Sequence, residues 1–268
     1  MGDAPVGPLP ADLTRYLATA RLGRRVYFYP AIESTNDAAL ALARAGEPEG
    51  TLVMADHQRR GRGRREHTWT SAPGRDVLCS LILRPPAEPR AVLPVTLAVA
   101  TAISVALSKL MDADVYVKWP NDIVTANGKL GGILAESATT AGGMDYVVVG
   151  IGLNVNSTPE DLPAGVRELA VSCRTLTGSE WDRAFVLADV LGTVEAYYDR
   201  FRRDGFGPLV SAYEARLWQR GREVAFERDG VRASGTVLGV AGDGALRVRL
   251  AGGAHEVELY HEVVEVTG

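Results

Sequence analysis

The sequence predicts an α+β protein with two parts, a larger one that combines helices with a sheet and a small C-terminal one made of strands. Three observations support this prediction. Over residues 25–217, β-branched and aromatic runs alternate with runs of helical periodicity. Residues 218–268 contain only short β-rich runs separated by turn signals. The 268 residues, 46% hydrophobic and 23% charged, are sufficient for a globular chain with a substantial core.

The first predicted elements are a strand, a capped helix and two further strands. Residues 25–32, RVYFYPAI, are aromatic and β-branched, which favours a strand. The polar triplet Ser-Thr-Asn at 34–36 precedes a helical run that ends at Gly46. Such a triplet either caps the helix or shares the N–H groups of the helix terminus with a ligand. Residues 51–55 and 77–83 are short apolar runs typical of buried strands.

A long polar loop is predicted between the last two of these strands, at residues 56–76. Five of the seven residues at 59–65 are arginine, and Gly61 and Gly63 lie among them. Such charges repel one another unless an anion lies between them, and glycines let the backbone bend closely around a ligand. The loop alone fits a phosphate ligand, a nucleic acid or a solvated surface equally well.

Residues 91–108 contain no charge over a length that approaches a membrane span. Alanine, threonine and serine dominate this run, and Pro94 lies where it suits a helix N-terminus. No basic residues flank it in the manner of a transmembrane segment. We therefore predict a buried central helix and no membrane association.

A β-hairpin is predicted in the middle of the chain. Residues 115–118, 122–125 and 130–137 are apolar runs, and the last two are joined by Ala-Asn-Gly-Lys at 126–129. Asn-Gly is a strong hairpin signal because both residues tolerate the positive φ of a tight turn. Lys129 is therefore expected to start the returning strand.

This hairpin brings together two lysines, an amide and an acid, namely Lys118, Lys129, Asn121 and Asp122. The glycine pair 131–132 removes side-chain bulk beside Lys129. A lysine ammonium can neutralise a carboxylate or phosphate oxygen. The alternative interpretation is an edge hairpin with surface lysines.

The remaining runs complete the two predicted parts. Residues 146–156, YVVVGIGLNVN, indicate a strand whose glycines suggest a close approach of the backbone to a small molecule. Residues 183–203 have apolar positions at helical spacing and predict an amphipathic helix against the sheet. We place the boundary near Trp218, so that the parts comprise residues 1–217 and 218–268.

Charge and cysteine content exclude several classes of function. The net charge of −4 gives no global basic field that would attract nucleic acid or anionic lipid. Cys79 and Cys173 are too few for a disulfide framework, and neither has metal-ligand spacing. The N-terminus lacks the basic and apolar regions of a secretory signal. These features favour a cytoplasmic protein.

Taken together, the motifs resemble those of the biotin protein ligases, and the resemblance covers nearly the whole chain. The matching segments are Glu33-Ser34-Thr35-Asn36, Gln58, Gly61-Arg62-Gly63-Arg64-Arg65, Lys118-Trp119-Pro120-Asn121-Asp122, Lys129-Leu130-Gly131-Gly132-Ile133 and Gly150-Ile151-Gly152-Leu153-Asn154-Val155-Asn156. Each segment alone is a weak or moderate signal, whereas the ordered set is specific.

The resemblance implies a fold as well as an activity. It implies a catalytic domain at 1–217, related to class II aminoacyl-tRNA synthetases, with helices packed on a mixed sheet. It also implies a small SH3-like β-barrel at 218–268. Some members carry an N-terminal DNA-binding domain and repress transcription. Because only residues 1–24 precede the first predicted strand, we expect the short, monofunctional form without repressor activity.

The implied activity is a two-step ligation. ATP and biotin would react in the presence of Mg²⁺ to give biotinyl-5′-AMP and pyrophosphate. A lysine of a biotin carboxyl carrier domain would then displace AMP, without a covalent enzyme intermediate. The expected partners are the carrier domain and the two small molecules, without nucleic acid or membrane, and the expected state is a monomer or a weak dimer.

The resemblance also assigns roles to individual residues. The catalytic residues would be Lys129, Asp122, Arg62 and Arg64. The residues that bind biotin would be Ser34, Thr35, Asn36, Gln58, Gly61, Arg62, Gly63, Arg64, Lys129, Gly131 and Gly132. The residues that bind ATP or the adenylate would be Arg64, Arg65, Trp69, Asn121, Lys129 and Asn154, and no residue is expected to bind a metal directly.

In this hypothesis Lys129 lies between the biotin carboxylate and the α-phosphate. The span 59–71 is expected to be mobile without ligand and to become ordered over the adenylate.

Two alternatives remain open at this point. A lipoate ligase would perform the same adenylation on a different acid. An RNA-binding module would use the arginine loop to follow phosphates, although the net charge and the lack of an aromatic platform beside the loop disfavour it.

Overall fold

The structure is a computed structural model that describes residues 11–86, 92–140, 143–228, 230–253, 255–260 and 264–267. The first ten residues, on which the absence of a secretory signal was argued, and Ala91, the predicted start of the uncharged helix, lie outside the described residues.

The larger part is built on a seven-stranded mixed sheet. Its strands are β1 (Val26–Tyr29), β2 (Leu52–Ala55), β5 (Val77–Leu83), β6 (Tyr116–Lys118), β7 (Asp122–Thr125), β8 (Gly128–Thr140) and β9 (Gly143–Leu153). The strand order is β1-β2-β5-β9-β8-β7-β6. Only β1 and β2 pair in parallel, and the other neighbours are antiparallel. The predicted mixed sheet is confirmed.

The helices of this part flank the sheet and its connections. They are α1 (Ala11–Tyr16), α2 (Thr35–Arg44), α3 (Val92–Met111), α4 (Ala164–Arg167), α5 (Cys173–Thr177), α6 (Arg183–Asp204) and α7 (Val210–Glu214). Apolar residues of α3 and α6 form the main core with one face of the sheet. Ala39 and Ala43 of α2 pack on the opposite face, against Val53, Ile82 and Val148.

The uncharged helix predicted at 91–108 is α3. By length and composition it could cross a membrane, but 72% of an apolar 18-residue stretch of this helix is buried inside the protein. Core helices pass the same test, and here the helix lies between α6 and the sheet. The prediction of a buried central helix is confirmed.

The predicted loop 56–76 contains a short hairpin. Its strands are β3 (Gly61–Arg62) and β4 (Thr68–Trp69), which pair antiparallel. A 3₁₀ turn at Arg64–Glu66 joins them, and Arg65 adopts a left-handed conformation with φ of 53°. We call residues 61–69 the arginine hairpin.

The central hairpin β7–β8 is confirmed, but its turn differs from the prediction. Thr125 pairs with Gly128, so Ala126 and Asn127 form the tip and the returning strand begins at Gly128. Gly128 has φ of 143°, whereas the only non-glycine residues with positive φ in the described chain are Arg65 and Asp112. Asn127 therefore does not use the left-handed conformation that the prediction assigned to it.

The C-terminal part is a five-stranded antiparallel sheet, consistent with the expected SH3-like fold. Its strands are β10 (Glu223–Arg228), β11 (Val231–Val240), β12 (Leu246–Leu250), β13 (Glu256–Leu259) and β14 (Val264–Val266). Their order is β13-β12-β11-β10-β14. The predicted boundary near Trp218 stays a prediction, because one hydrophobic core runs through both parts.

The segment before β10 attaches this part to the edge strand β6. The N–H of Val117 donates to Arg216 O at 2.8 Å, and the N–H of Trp218 donates to Val117 O at 2.9 Å. The buried amide of Gln219 accepts from the backbone N–H of Trp119 at 2.8 Å and donates to its carbonyl at 3.1 Å. The Trp119 indole donates to Gly244 O at 3.1 Å.

Candidate active site

A cavity of about 380 Å³ lies at the N-terminus of α2, between the sheet and the arginine hairpin. All but three of the predicted site residues line it. They are Ser34, Thr35, Asn36, Gln58, Arg62, Gly63, Arg64, Arg65, Trp69, Asn121, Asp122, Lys129 and Gly132. Residues far apart in the sequence thus meet at one site.

Three predicted residues lie outside the cavity lining. A Cβ on Gly61 would lie 2.5 Å from Trp69 O, so this glycine allows the arginine hairpin to close. A Cβ on Gly131 would lie 2.6 Å from Leu153 Cδ2, so Gly131 packs inside the sheet. Asn154 is buried, and its amide donates to Lys129 O at 3.3 Å and to Val171 O at 3.0 Å. Asn154 supports the backbone of Lys129, and its predicted contact with the nucleotide stays a prediction.

One end of the cavity is polar and closely hydrogen-bonded. Ser34 occupies the N-cap position of α2, but its side chain makes no capping hydrogen bond. The amide oxygen of Gln58 accepts from the N–H of Thr35 at 2.8 Å and from its hydroxyl at 3.0 Å. Capping therefore explains why the triplet 34–36 lies at the start of α2, but it does not explain the hydrogen bonds that its side chains make.

Asn36 continues this polar end towards the sheet. Its Nδ2 donates to Leu134 O at 3.2 Å and to Glu136 Oε2 at 2.8 Å. Ser80 Oγ lies 2.5 Å from Asn36 Oδ1. A Cβ on Gly150 would lie only 2.1 Å from the same oxygen. Glycine at position 150 is therefore required for the Asn36 amide to reach the sheet.

Trp69 covers the floor of the cavity. A Cβ on Gly152 would lie 2.6 Å from Trp69 Cε2, and one on Gly132 would lie 3.3 Å from its Cζ3. The Lys129 ammonium lies 5.9 Å from the ring centroid of Trp69. The indole Nε1 is buried and has no hydrogen-bond partner among the described residues. The ring thus rests on two backbone glycines.

The arginines of the arginine hairpin occupy two different environments. Arg62 pairs with Glu136 through two contacts of 3.0 and 2.7 Å and with Asp37 at 2.7 Å. Arg64 points to Asn121, with a guanidinium to Oδ1 distance of 3.5 Å. Burial lowers the pKa of Arg64, and the neighbouring charge of Arg65 lowers it further. An anion beside Arg64 would relieve both effects.

Lys129 and Asp122 face each other across the β7–β8 hairpin. The ammonium donates to Asp122 Oδ1 at 2.7 Å, and both side chains remain partly exposed to the cavity. The backbone of Lys129 is held by the neighbouring chain, because its N–H donates to Leu169 O at 2.7 Å and its carbonyl accepts from Val171 at 2.9 Å. The backbone that carries the ammonium is therefore hydrogen-bonded on both sides.

A bulge in β8 explains why Lys129 points to the cavity. Ile123 pairs with Gly131, but Val124 pairs with Lys129, so Leu130 is an extra residue. In a regular strand, Lys129 and Gly132 would face opposite sides of the sheet. The bulge reverses this alternation, and both residues line the same cavity.

Sequence reasoning missed several residues of the site. Glu136 and Ser80 lie outside every motif, and no signal in the sequence indicated their contacts. His67 and Cys79 line the cavity and were not predicted, whereas Lys118, which the sequence placed near Lys129, lines it as well. Burial raises the pKa of the Cys79 thiol to about 12, so this side chain stays protonated and is no nucleophile at neutral pH.

No cluster of metal ligands accompanies this site. The described residues contain no group of three or more His, Cys, Asp and Glu side chains that could hold a metal ion. The site instead offers a polar end, an ammonium and a pair of arginines. This arrangement can bind a molecule with a polar head and bring an anionic group beside a second anion.

Comparisons with known proteins identify the family. The model of the biotin/lipoate A/B protein ligase family matches residues 28–154. The chain is 33% identical to the bifunctional ligase/repressor BirA of Bacillus subtilis (strain 168), over 86% of this chain and 71% of that protein. It is also 33% identical to the biotin–[acetyl-CoA-carboxylase] ligase of Paracoccus denitrificans, over 81% of this chain and 91% of that protein.

A solved structure supports the same fold. The biotin protein ligase of Aquifex aeolicus, solved in complex with biotin and ATP, superposes with a TM-score of 0.78. The match covers 91% of this chain and 100% of that chain at 24% identity, so it supports the fold alone. The sequence relatives carry the assignment further: the chain belongs to the biotin/lipoate A/B protein ligase family and, within it, to the biotin protein ligases.

Proposed function

We propose that this protein activates biotin with ATP to biotinyl-5′-AMP and transfers the biotinyl group to a lysine of a biotin carboxyl carrier domain. The observation that carries the proposal is the position of the Lys129 ammonium. It lies in one cavity with the polar end formed by Thr35 and Gln58 and with the arginines Arg64 and Arg65. A carboxylate and a phosphate could meet there beside a single cation.

The polar end of the cavity suits the ureido group of biotin. Gln58 turns its amide oxygen towards Thr35, which leaves its NH₂ group as a donor. Ser34, Thr35 and Asn36 supply hydroxyl and amide groups beside it. We assign the adjoining part of the cavity, where Leu134 and Ile151 belong to the lining, to the apolar part of biotin.

The first step joins two anions. A carboxylate oxygen of biotin attacks the α-phosphorus of ATP, and the bond to the pyrophosphate oxygen breaks. Lys129 would neutralise the approaching oxygens, and Arg64 and Arg65 would bind the phosphates. Trp69 would offer its ring to the adenine. No enzyme nucleophile takes part.

The second step transfers the acyl group. The amine nitrogen of the carrier lysine attacks the carbonyl carbon, AMP leaves with the electrons of its bond, and the amine loses a proton. Asp122 lies 2.7 Å from the Lys129 ammonium and would orient the incoming amine or accept its proton. Lys129 would again stabilise negative charge, now on the departing phosphate.

Mg²⁺ is proposed to enter with the nucleotide. The described residues provide no group of three metal-ligating side chains. Mg²⁺ commonly keeps water and phosphate ligands in nucleotide sites, where it neutralises phosphate charge. Binding of the ion through the substrate is compatible with the side chains that line this cavity.

The relatives support the proposed substrates. Proteins named biotin–[acetyl-CoA-carboxylase] ligase share 33% identity with this chain in Paracoccus denitrificans and Mycobacterium tuberculosis. A biotin protein ligase of Leishmania major was solved in complex with biotinyl-5-AMP. A cytoplasmic location, the lack of repressor activity and a monomeric or weakly dimeric state remain part of the proposal.

The proposal is tested by incubating the purified protein with ATP, Mg²⁺, biotin and a biotin carboxyl carrier domain. We expect the carrier to gain the mass of one biotinyl group. Parallel reactions without ATP, or with lipoate in place of biotin, should leave it unchanged. Transfer of lipoate would assign the protein to lipoate ligation, and an unmodified carrier in every reaction would overturn the proposal.

A further inference from the structure

Glu136 of β8 contacts two residues of the proposed biotin site, Asn36 and Arg62. Its Oε2 accepts from Asn36 Nδ2 at 2.8 Å, and its two oxygens accept from Arg62 at 3.0 and 2.7 Å. Its side chain is 28% exposed. An ionised carboxylate can only accept hydrogen bonds, so each neighbour must turn a donor towards it.

This requirement determines the orientation of the Asn36 amide. Both hydrogens of Nδ2 are used, one on Glu136 and the other on Leu134 O at 3.2 Å. Both partners accept only. A flipped amide would place its oxygen against the carboxylate and the carbonyl, which would leave three acceptors facing one another. The oxygen of Asn36 therefore faces Ser80.

The orientation of Asn36 in turn determines the direction of the Ser80 hydroxyl. Ser80 is fully buried, and its Oγ lies 2.5 Å from Asn36 Oδ1 and 2.8 Å from Thr35 Oγ1. The hydroxyl has one proton, and Asn36 Oδ1 has none to offer. Ser80 therefore donates to Asn36 and presents a lone pair to Thr35.

The last members of this chain face the cavity. The one proton of the Thr35 hydroxyl goes either to Ser80 or to Gln58 Oε1 at 3.0 Å, and neither neighbour donates to Thr35, so its oxygen keeps a lone pair as an acceptor. Gln58 accepts from the Thr35 N–H and keeps its NH₂ group as a donor. An acceptor and a donor thus lie side by side, which matches the adjacent N–H and C=O groups of a cyclic urea.

We propose that Glu136 is a positioning residue that sets the donor and acceptor pattern of the ureido site through Asn36, Ser80 and Thr35. The inference rests on the proposed function and extends it to a residue that lies outside the cavity lining. Glu136 does not contact the ligand in this scheme. It acts by excluding the flipped amide of Asn36.

The competing explanation is that Glu136 acts through Arg62 by holding the arginine hairpin. Asp37 provides a matched control, because it also contacts Arg62, at 2.7 Å, and has no contact with the Asn36 amide in the described hydrogen bonds. Neutralising Asp37 therefore weakens the Arg62 contact and leaves the chain from Asn36 to Thr35 unchanged.

The first experiment measures the Kd of biotin by calorimetry for the wild type, Glu136→Gln and Asp37→Asn. A glutamine can turn an NH₂ group towards Asn36, which permits the flipped amide. We expect Glu136→Gln to raise Kd about tenfold, the equivalent of one charge-assisted hydrogen bond. Asp37→Asn should raise it less than about threefold. Equal effects of the two substitutions would overturn the proposal.

The second experiment repeats Glu136→Gln in a Ser80→Ala background, where the hydroxyl that links Asn36 to Thr35 is absent. We expect the added effect on Kd to fall to less than about twofold, because coupled residues are not additive. A full effect in this background would show that Glu136 acts through Arg62. The rate at saturating biotin should change less than KM, which distinguishes positioning of biotin from loss of the fold.

Two controls keep the result interpretable. Thermal unfolding checks that each variant folds. If Glu136→Gln does not fold, Glu136→Asp replaces it, because the shorter side chain also loses the contact with Asn36. A wild type without measurable affinity for biotin would refute the proposed function. A wild type that binds biotin, with a Glu136→Gln variant of the same Kd, would refute only the role of Glu136.

Discussion

Lys129 is the residue on which the proposed chemistry depends most. We expect Lys129→Ala to fold normally, because its backbone contacts with Leu169 and Val171 do not involve the side chain. Loss of a preorganised charge of this kind commonly lowers the rate about 10²- to 10³-fold. Biotin-dependent pyrophosphate release measures the effect. Lys109→Ala, on the exposed end of α3, is the control, and wild-type release from Lys129→Ala would contradict the assignment.

Asp76 provides a prediction on pH dependence away from the cavity. It is buried, and its carboxylate accepts from the backbone N–H groups of Val155, Asn156 and Ser157 and from the Ser157 hydroxyl. Burial nevertheless raises the pKa of Asp76 above its ordinary value of 3.8. The folded protein therefore holds this proton more tightly than the unfolded chain does.

The sign of the effect on stability follows from linkage. The contribution of Asp76 is fully present below pH 3.8 and is lost as the pH rises through the raised pKa of the folded state. We expect the free energy of unfolding of the wild type to fall relative to that of Asp76→Asn as the pH rises from about 4 towards neutrality. Urea unfolding at several pH values measures the difference. A difference that rises with pH would contradict the prediction.

At the residue scale, the sequence identified site residues that belong to a recognisable motif. It missed residues that join the site only through contacts made in the folded protein. Lys129 and Asp122 were predicted because they lie in a segment with a recognisable pattern. Glu136 and Ser80 reach Asn36 only after two strands and a helix come together. No spacing in the sequence encodes these contacts, so they could not be predicted from it.

At the scale of elements, the β7–β8 hairpin was predictable, but the direction of its key side chain was not. Apolar runs around Asn127 and Gly128 predicted two strands and a turn. The bulge at Leu130 changes which residues share a face. A regular alternation would have placed Lys129 on the side opposite Gly132. Local patterns predict the existence of a strand, whereas a bulge depends on the pairing with its neighbours.

The glycine floor gives a prediction at this scale. A Cβ at position 152 would lie 2.6 Å from the Trp69 ring, so Gly152→Ala should displace the indole from the floor. We expect a loss of about tenfold in affinity for a biotinyl-AMP analogue, because the displaced ring would no longer line the cavity in this position. Isothermal titration measures the affinity.

The matched control for this substitution is Gly192→Ala in α6. A Cβ at position 192 would meet no atom within 4 Å, and the residue lies in a helix interior. We expect this variant to bind the analogue as the wild type does and to gain about 0.5–1 kcal/mol in the free energy of unfolding. Unchanged affinity in Gly152→Ala would argue against a role of Trp69 in the site.

At the scale of the whole molecule, the C-terminal part is tied to the site by Gln219. Replacement by alanine would leave the backbone N–H and carbonyl of Trp119 buried without partners. We expect Gln219→Ala to lower the free energy of unfolding by about 1–3 kcal/mol and to slow adenylation, since Trp119 leads directly into Asn121 and Asp122. Urea unfolding and pyrophosphate release measure the two effects.

Arg220→Ala is the neighbouring control. Its exposed guanidinium forms an ion pair with Glu214 at 3.5 Å, and such surface pairs contribute little. We expect a change below about 1 kcal/mol and normal adenylation. If Gln219→Ala behaved like Arg220→Ala, the contact with Trp119 would be irrelevant to the site.

The sequence predicted that the molecule has two parts, but it did not predict how these parts pack together. The change to β-rich runs after Trp218 was visible, and a five-stranded sheet follows it. The sequence did not reveal that the two parts share a hydrophobic core, because core contacts between distant segments have no local signature. The expected mobility of residues 59–71 stays a prediction.

The contacts from Gln219 and Gly244 to Trp119 have a consequence for the order of synthesis. While the ribosome still holds the chain beyond residue 215, the turn that leads to Asp122 lacks the amide that supports it. A nascent polypeptide can therefore form most of its large sheet before residues 219 and 244 emerge to support the turn beside the cavity.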